Sequence, residues 1–187
     1  ELPVYMKLSP VAFEQYDAEG CVVLPGFVDS HTHLVFGGYR AEEFRWRLEG
    51  QSYMDIMRKG GGIQSTVDAT RSATAEELAE NARWMLAEMR RMGVTTVEAK
   101  SGYGLDMDSE RRMLDAISLL ASDPKTGVRM VSTFLGAHAV PREYKGRTAE
   151  YTDLIIREML PRFRNKATFC DVFCEADTSV SYTHLRA

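Results

Sequence analysis

The sequence predicts an α/β protein, a partial (β/α)8 TIM barrel of about the first four βα units, preceded by a remnant of a small β domain. Segments typical of strands and helices alternate along the chain, as expected for a parallel sheet, and strands begin near residues 26, 94, 128 and 169. No Gly-x-Gly-x-x-Gly follows the first strand, which disfavours a dinucleotide-binding sheet. Because a whole barrel typically needs about 250 residues, these 187 hold about half of one.

The N-terminal 24 residues have a mixed pattern. Val4–Leu8 and Val11–Phe13 are predicted as short strands, and Asp17–Gly20 as a hairpin turn before Cys21–Leu24. This arrangement indicates the end of a small β unit whose beginning is missing.

Beyond the first strand the helices and strands follow from local signals. Thr74 and Glu77 form a capping box that opens a helix, and Gly93 ends it. The later elements are predicted to be a strand over 94–97, a helix over 109–120, a strand over 128–135, a helix over 149–160 and a strand over 169–173. Gly60–Gly62 is predicted as a flexible loop.

Composition narrows the functional class. The chain is 44% hydrophobic and 27% charged, which is ordinary for a soluble protein. A net charge of −4 without a basic block argues against nucleic-acid binding. No apolar run approaches the ~20 residues of a membrane helix, and three cysteines without a Cys-x-x-Cys pair indicate reduced thiols in a cytoplasmic protein.

The first strand, within Pro25–Leu34, ends in a His-x-His pair. On a strand, residues two apart lie on the same face, so Asp29, His31 and His33 are expected to point the same way. Two neutral imidazoles at the carboxyl end of a barrel strand would supply half of a metal site. The alternative is a surface strand that carries two histidines by chance.

Three further residues follow predicted strands or a glycine turn. Arg40 has a planar guanidinium that matches a carboxylate, although it also fits a solvated arginine in a charged segment. Tyr103 lies between two glycines after a strand, where its phenol would either enter a pocket or pack on its neighbours. His138 also follows a strand and would either orient a ligand and move a proton or make a structural hydrogen bond.

Other charged residues at strand ends are weaker candidates. Lys100 is interpreted as structural or electrostatic, not as a carbamylated lysine that bridges two metals. Glu98 and Glu175 are possible acids behind the site.

Four motifs together resemble the imidazolonepropionase family of the amidohydrolase superfamily. They are Pro25–Leu34, Val35–Gly38 with Arg40, Lys100–Leu105 and Phe134–Pro141. The resemblance implies that His31 and His33 bind one Zn²⁺ or Fe²⁺/Fe³⁺ per subunit and that Arg40, Tyr103 and His138 hold the substrate. It also places a further His and Asp ligand and a substrate-binding Glu beyond the end of this chain.

The resemblance implies hydrolysis of the cyclic amide of 4-imidazolone-5-propanoate to N-formimidoyl-L-glutamate, in histidine degradation. The expected domains are a β remnant over 1–24, half a barrel over 25–176 and a tail of uncertain origin over 177–187, whose His184 is not assigned to the metal. No residue is assigned as a certain catalyst, although His138 is possible, and the isolated half-barrel is expected to be inactive. The parent is expected to be a cytoplasmic homodimer that binds neither nucleic acid nor membrane.

Two alternatives remain. One is another amidohydrolase, such as a nucleobase aminohydrolase or a dihydroorotase-like enzyme. The other is a metal-free binding or scaffold protein with the same fold.

Overall fold

The computed structural model describes Glu14 and residues 16–174. The predicted strands at Val4–Leu8 and Val11–Phe13 lie outside the described residues, as do Glu175 and the tail at 177–187 with His184. Within the described part, no helix is both long and apolar enough to span a bilayer.

Four parallel strands form one curled sheet whose spatial order is the order of the chain. The strands are β1 (Phe27–Thr32), β2 (Val94–Lys100), β3 (Arg129–Ala137) and β4 (Phe169–Val172). Helical segments connect successive strands, as parallel pairing requires. This confirms the prediction of a partial (β/α)8 barrel.

Seven α-helical segments lie in the connections. They are α1 (Ala41–Leu48), α2 (Tyr53–Arg58), α3 (Ile63–Ser72), α4 (Ala75–Arg91), α5 (Met107–Ser122), α6 (Thr148–Leu154) and α7 (Leu160–Phe163). A 3₁₀ turn spans Arg142–Tyr144 and a π-helical turn spans Ile155–Met159.

The boundaries of α4 agree with their sequence signals. The Thr74 hydroxyl accepts the backbone N–H of Glu77 at 3.2 Å, and the Glu77 carboxylate accepts the backbone N–H of Thr74 at 2.8 Å. Gly93, just past the end of the helix, has φ +90°, a backbone conformation that favours glycine. The capping-box prediction is confirmed.

The core lies between the sheet and the helices that cover it. The inward face of α5 is fully buried: its members are Met113, Leu114, Ile117 and Leu120. Each such side chain contributes about 1.5–3 kcal/mol through removal of apolar surface from water. The covering helices thereby hold the sheet and the loops at the carboxyl ends of its strands.

Three details differ from the sequence prediction. Residues 21–26, after the turn at 19–20, form no strand, and their side chains are exposed. The charged segment from Arg40 to Arg47 contains helix α1, which has no broad apolar face and is supported by ion pairs of Arg45 with Glu42 and Glu49. Sequence reasoning also missed α2 and α3.

The helix predicted over 149–160 runs instead from Thr148 to Phe163 and contains the π-helical turn. Pro161 lies in the first turn of α7, directly after this turn. Because proline has no N–H to donate to the residue four positions earlier, the regular α-helical hydrogen-bond ladder is interrupted there.

Candidate active site

The histidine pair lies at the end of β1. His31 is exposed and His33 is half-buried, and their ring centroids are 5.9 Å apart. The alternation of the strand therefore brings both imidazoles to the same side of the sheet. The backbone N–H of His31 lies 3.4 Å from the Asp29 carboxylate, which is thus engaged locally.

The environment of His33 favours the neutral imidazole. Burial lowers the pKa of His33 to about 4, and electrostatic interactions of the protonated ring with His138, His31 and Lys100 act in the same direction, while a backbone hydrogen bond with Ser101 acts against them. Its Nδ1 atom is buried and has no hydrogen-bond partner. A neutral ring with an unpaired nitrogen has the chemistry of a metal ligand.

The histidine pair supplies only part of a metal site. Among the described residues, no group of three or more His, Cys, Asp or Glu side chains is placed to hold a metal ion. The donor set therefore fits a zinc or iron ion only if further ligands come from other parts of the protein.

Three aromatic rings converge from three neighbouring strands. His33 and His138 are stacked, with centroids 4.6 Å apart and an interplanar angle of 15°. Tyr103 lies 5.1 Å from each of them. Since His33 follows β1, Tyr103 follows β2 and His138 follows β3, the cluster occupies the carboxyl edge of the sheet, where barrel enzymes place their chemistry.

The hydrogen bond of His138 defines its tautomer. Nδ1 of His138 lies 2.8 Å from the carbonyl oxygen of Gly102, and because a carbonyl can only accept, Nδ1 carries the hydrogen. Burial lowers the pKa of His138, so the ring is neutral and its Nε2 lone pair is available to a ligand.

Arg40 and Tyr103 share a cavity with His33. Its volume is about 240 Å³, and its lining is His33, Phe36, Gly38, Tyr39, Arg40, Thr66 and Tyr103. Burial raises the pKa of Tyr103, although the charge of Arg40 opposes this, so the phenol keeps its proton at neutral pH. Larger hollows lie on the helical side of the described structure and contain no histidine.

Glu43 holds Arg40 at the edge of this cavity, a contact that sequence reasoning missed. The Arg40 guanidinium lies 3.7 Å from one Glu43 oxygen, and the other oxygen accepts the backbone N–H of Gly62 at 2.7 Å. Glu43 is buried although it belongs to a highly charged helix. The nearby glycine loop was the available signal, because its exposed amides need an acceptor.

Lys100 is engaged by two carboxylates. Its ammonium donates to Glu98 at 3.0 Å and to Asp171 at 2.9 Å, and the Thr133 hydroxyl also donates to Glu98, at 2.6 Å. Burial acts to lower the pKa of Lys100, but these acids raise it above its ordinary value. A charged ammonium with two acidic partners favours the electrostatic role and argues against a carbamylated lysine.

Glu110 is the main buried acid that sequence reasoning missed. It lies in the first turn of α5, is fully buried and contacts the loop that carries Tyr103. An acid at this point of a helix is normally interpreted as an exposed group that complements the helix dipole, so the sequence gives no sign of its burial.

Comparison with known proteins gives two findings. The model of the amidohydrolase family matches residues 14–63. Curated proteins named imidazolonepropionase are similar over most of the chain. That of Phocaeicola vulgatus is 58% identical over 165 residues, which are 87% of this chain and 40% of that protein. That of Clostridium tetani is 53% identical over 174 residues, 92% of this chain and 41% of that protein.

A third relative, the imidazolonepropionase of Streptococcus sanguinis, is 54% identical over 159 residues, 84% of this chain and 37% of that protein. The chain thus spans about two fifths of the length of the curated relatives it matches. The resemblance inferred from the four sequence motifs is confirmed.

Proposed function

We propose that this chain, a relative of the imidazolonepropionases, forms the first half of the barrel of an enzyme that hydrolyses 4-imidazolone-5-propanoate to N-formimidoyl-L-glutamate. One observation carries the proposal. The side chains predicted from separate motifs, His33, Tyr103 and His138, meet at one edge of the sheet, and Arg40 shares a cavity with the first two.

In this proposal residues 25–176 are the barrel segment, residues 1–24 belong to a preceding β domain, and residues 177–187 have no assigned role. His31 and His33 are two ligands of a zinc or iron ion. Because the relatives are more than twice as long as this chain, the remaining ligands and the general base are assigned to the part of the protein that these 187 residues do not cover. The protein containing that part is called the full-length protein below.

The residues of this chain would bind and orient the substrate. Arg40 would hold the propanoate carboxylate with its guanidinium, since a planar fork can make two parallel hydrogen bonds. Tyr103, which keeps its proton, would donate to a polar atom of the ring. His138 would accept a ring N–H at Nε2, because its Nδ1 hydrogen is committed to Gly102.

When bound, a divalent zinc or iron would lower the pKa of coordinated water and polarise the ring carbonyl. The neutral state of His33 supports its assignment as a ligand, because a protonated imidazole has no lone pair to offer. The stacked ring of His138 shields one face of His33 from water.

The role of Arg40 is tested by replacement with alanine in the full-length protein. Loss of a hydrogen bond to a charged group costs about 1.5–3 kcal/mol, so KM should rise roughly 10- to 100-fold with a smaller change in kcat. Arg45→Ala is the matched control, because the ion pairs of Arg45 within the described residues are with two exposed acids, Glu42 in the same helix and Glu49 just after its end. Equal KM values for the two variants would contradict the assignment and favour an amidohydrolase with another substrate.

The metal assignment is tested by elemental analysis. His31→Ala and His33→Ala should each lower the zinc or iron content of the purified full-length protein, whereas His138→Ala should retain it. The element found identifies the native metal. A wild-type protein without stoichiometric metal would instead support the scaffold alternative.

The remaining assignments are a small-molecule substrate, a cytoplasmic location and a homodimer, with no nucleic-acid or membrane partner. The net charge of −4 supports the absence of nucleic-acid binding. Cell fractionation and light scattering of the full-length protein test the location and the dimer. Recovery in the membrane fraction or a monomeric mass would contradict them.

A further inference from the structure

The loop that carries Tyr103 is built around one carboxylate. Glu110 accepts the backbone N–H groups of Gly104 and Leu105 at 2.8 Å each. The N–H of Gly102 lies 3.1 Å from both Glu110 oxygens. Three backbone donors of a turning loop are thus satisfied by a single side chain.

The backbone of this loop leaves no room for a side chain at either of its two glycines. Gly102 has φ +109°, and a Cβ there would lie 2.7 Å from the backbone oxygen of Leu135. A Cβ on Gly104 would lie 2.5 Å from the backbone nitrogen of Glu110. Leu105, although not glycine, has φ +57°. Such a backbone persists only when its surroundings hold it in place.

The buried carboxylate depends on the loop in turn. Burial raises the pKa of Glu110, and the hydrogen bonds from the Ser101 side chain and the loop amides act in the opposite direction. Fully buried acids without such donors are rare. The carboxylate and the loop therefore stabilise each other.

A second link connects this pair to the ring cluster. The N–H of Gly102 faces Glu110, and the carbonyl oxygen of Gly102 accepts Nδ1–H of His138. The residue before Gly102 is also fixed, because the Ser101 hydroxyl accepts the backbone N–H of Leu135 at 3.0 Å. The position of the Gly102 carbonyl, and with it the tautomer of His138, depends on how this loop is held.

We propose that Glu110 is a positioning residue of the active site, which through the backbone of Gly102 fixes the Nδ1–H tautomer of His138 and through Gly104 and Leu105 places the Tyr103 phenol. Its action on ligand binding rests on the function proposed above, but its action on the tautomer of His138 does not. Arg71 also stabilises this loop, because its guanidinium donates to the Gly104 carbonyl at 2.7 Å. Loss of Glu110 should therefore shift the loop without unfolding it.

The test compares Glu110→Gln with two controls in the zinc-loaded full-length protein. Gln keeps the shape but removes the charge, which roughly halves the strength of the hydrogen bonds. Glu77→Gln removes the same charge from another acid that accepts a backbone N–H at the start of a helix. Ile117→Val removes one buried methylene group from the core face of α5 and leaves the carboxylate of Glu110 unchanged.

Two readouts separate positioning from mere stability. The first is ¹⁵N NMR of the histidine rings, which distinguishes Nδ1–H from Nε2–H and needs no substrate. The second is calorimetric binding of imidazole-4-propanoate, a stable ring that bears the same side chain as the proposed substrate. Glu110→Gln should give a mixture of His138 tautomers and about fivefold weaker binding, while both controls keep the wild-type tautomer and affinity.

A single Nδ1–H tautomer with unchanged affinity in Glu110→Gln would overturn the proposal, and so would equal losses in the controls. Should this variant not fold, Glu110→Asp keeps the charge on a shorter side chain and should show the same changes. If the wild-type protein does not bind the probe at all, the proposed substrate is wrong, and the tautomer measurement alone decides the role of Glu110.

Discussion

Gly102 offers the sharpest test of how the loop and the ring cluster depend on each other. Replacement by alanine adds a Cβ that would lie 2.7 Å from the Leu135 carbonyl oxygen and 3.0 Å from Cβ of His138, at a φ of +109°. Neither neighbour is the free end of a flexible chain. The backbone of the loop or of the residues after β3 must therefore shift.

The expected cost has two parts. A left-handed backbone conformation costs a residue with a Cβ about 1–2 kcal/mol, and crowding in a packed region adds about 1–3 kcal/mol. Gly102→Ala should therefore lower the free energy of unfolding by about 2–5 kcal/mol. It should also weaken binding of imidazole-4-propanoate, because the Gly102 carbonyl holds His138.

Gly146→Ala is the matched control. Gly146 also has a positive φ, +77°, but a Cβ there would meet no atom within 4 Å. Its expected cost is the backbone part alone, about 1–2 kcal/mol, with no effect on ligand binding. Urea-induced unfolding of the full-length variants measures the difference. Equal losses of stability at the two sites, or unchanged binding by Gly102→Ala, would refute the argument that the loop is crowded against His138.

Three other predictions follow from the described contacts. Tyr151→Phe should lower the free energy of unfolding by about 1–2 kcal/mol, because the buried Gly136 carbonyl loses the hydroxyl that donates to it at 2.8 Å. An equal decrease in the free energy of unfolding in Tyr144→Phe would contradict this. The 187 residues alone should associate in light scattering and show no turnover, since β1 and β4 each pair on one side only within the described residues, and a monodisperse active monomer would disprove it. The hydrogen bond from Lys100 lowers the pKa of Asp171 in the folded protein. The stability that this pair contributes is therefore complete above the unfolded pKa near 3.8 and is lost as the pH falls through the folded pKa of Asp171. Acid unfolding that is unchanged by Asp171→Asn would show that the pair contributes nothing.

The repeating part of the fold was predictable because its signals are local. The capping box at Thr74 and Glu77, the glycine at 93 and the apolar face of α5 each depend on residues a few positions apart. The order of the parallel strands follows from the same alternation. Helix α1 was missed because it is highly charged and has no broad apolar face, and α2 and α3 were missed because they are short.

The candidate site was predictable only where a side chain able to bind a metal or a ligand lies at the end of a predicted strand. His31 lies near the end of β1, His33, Tyr103 and His138 follow strands, and parallel strands end at a common edge. Arg40 was identified by its match to a family motif, since its charged neighbours by themselves favoured a solvated side chain. Glu43 and Glu110 belong to helices, where an acid is expected to be exposed, and the glycines of the neighbouring loops were the available signal for Glu43.

The same physical need explains both hidden acids. Each lies buried at a glycine-containing loop: Glu43 accepts the backbone N–H of Gly62, and Glu110 accepts those of Gly102, Gly104 and Leu105. Glycine permits the sharp backbone of these loops, but it offers no side chain to bond the amides that the turn exposes. A neighbouring carboxylate therefore supplies the acceptor. The strands of this fold bring the candidate site residues His33, Tyr103 and His138 to one edge of the sheet, and buried acids hold the glycine-containing loops beside them.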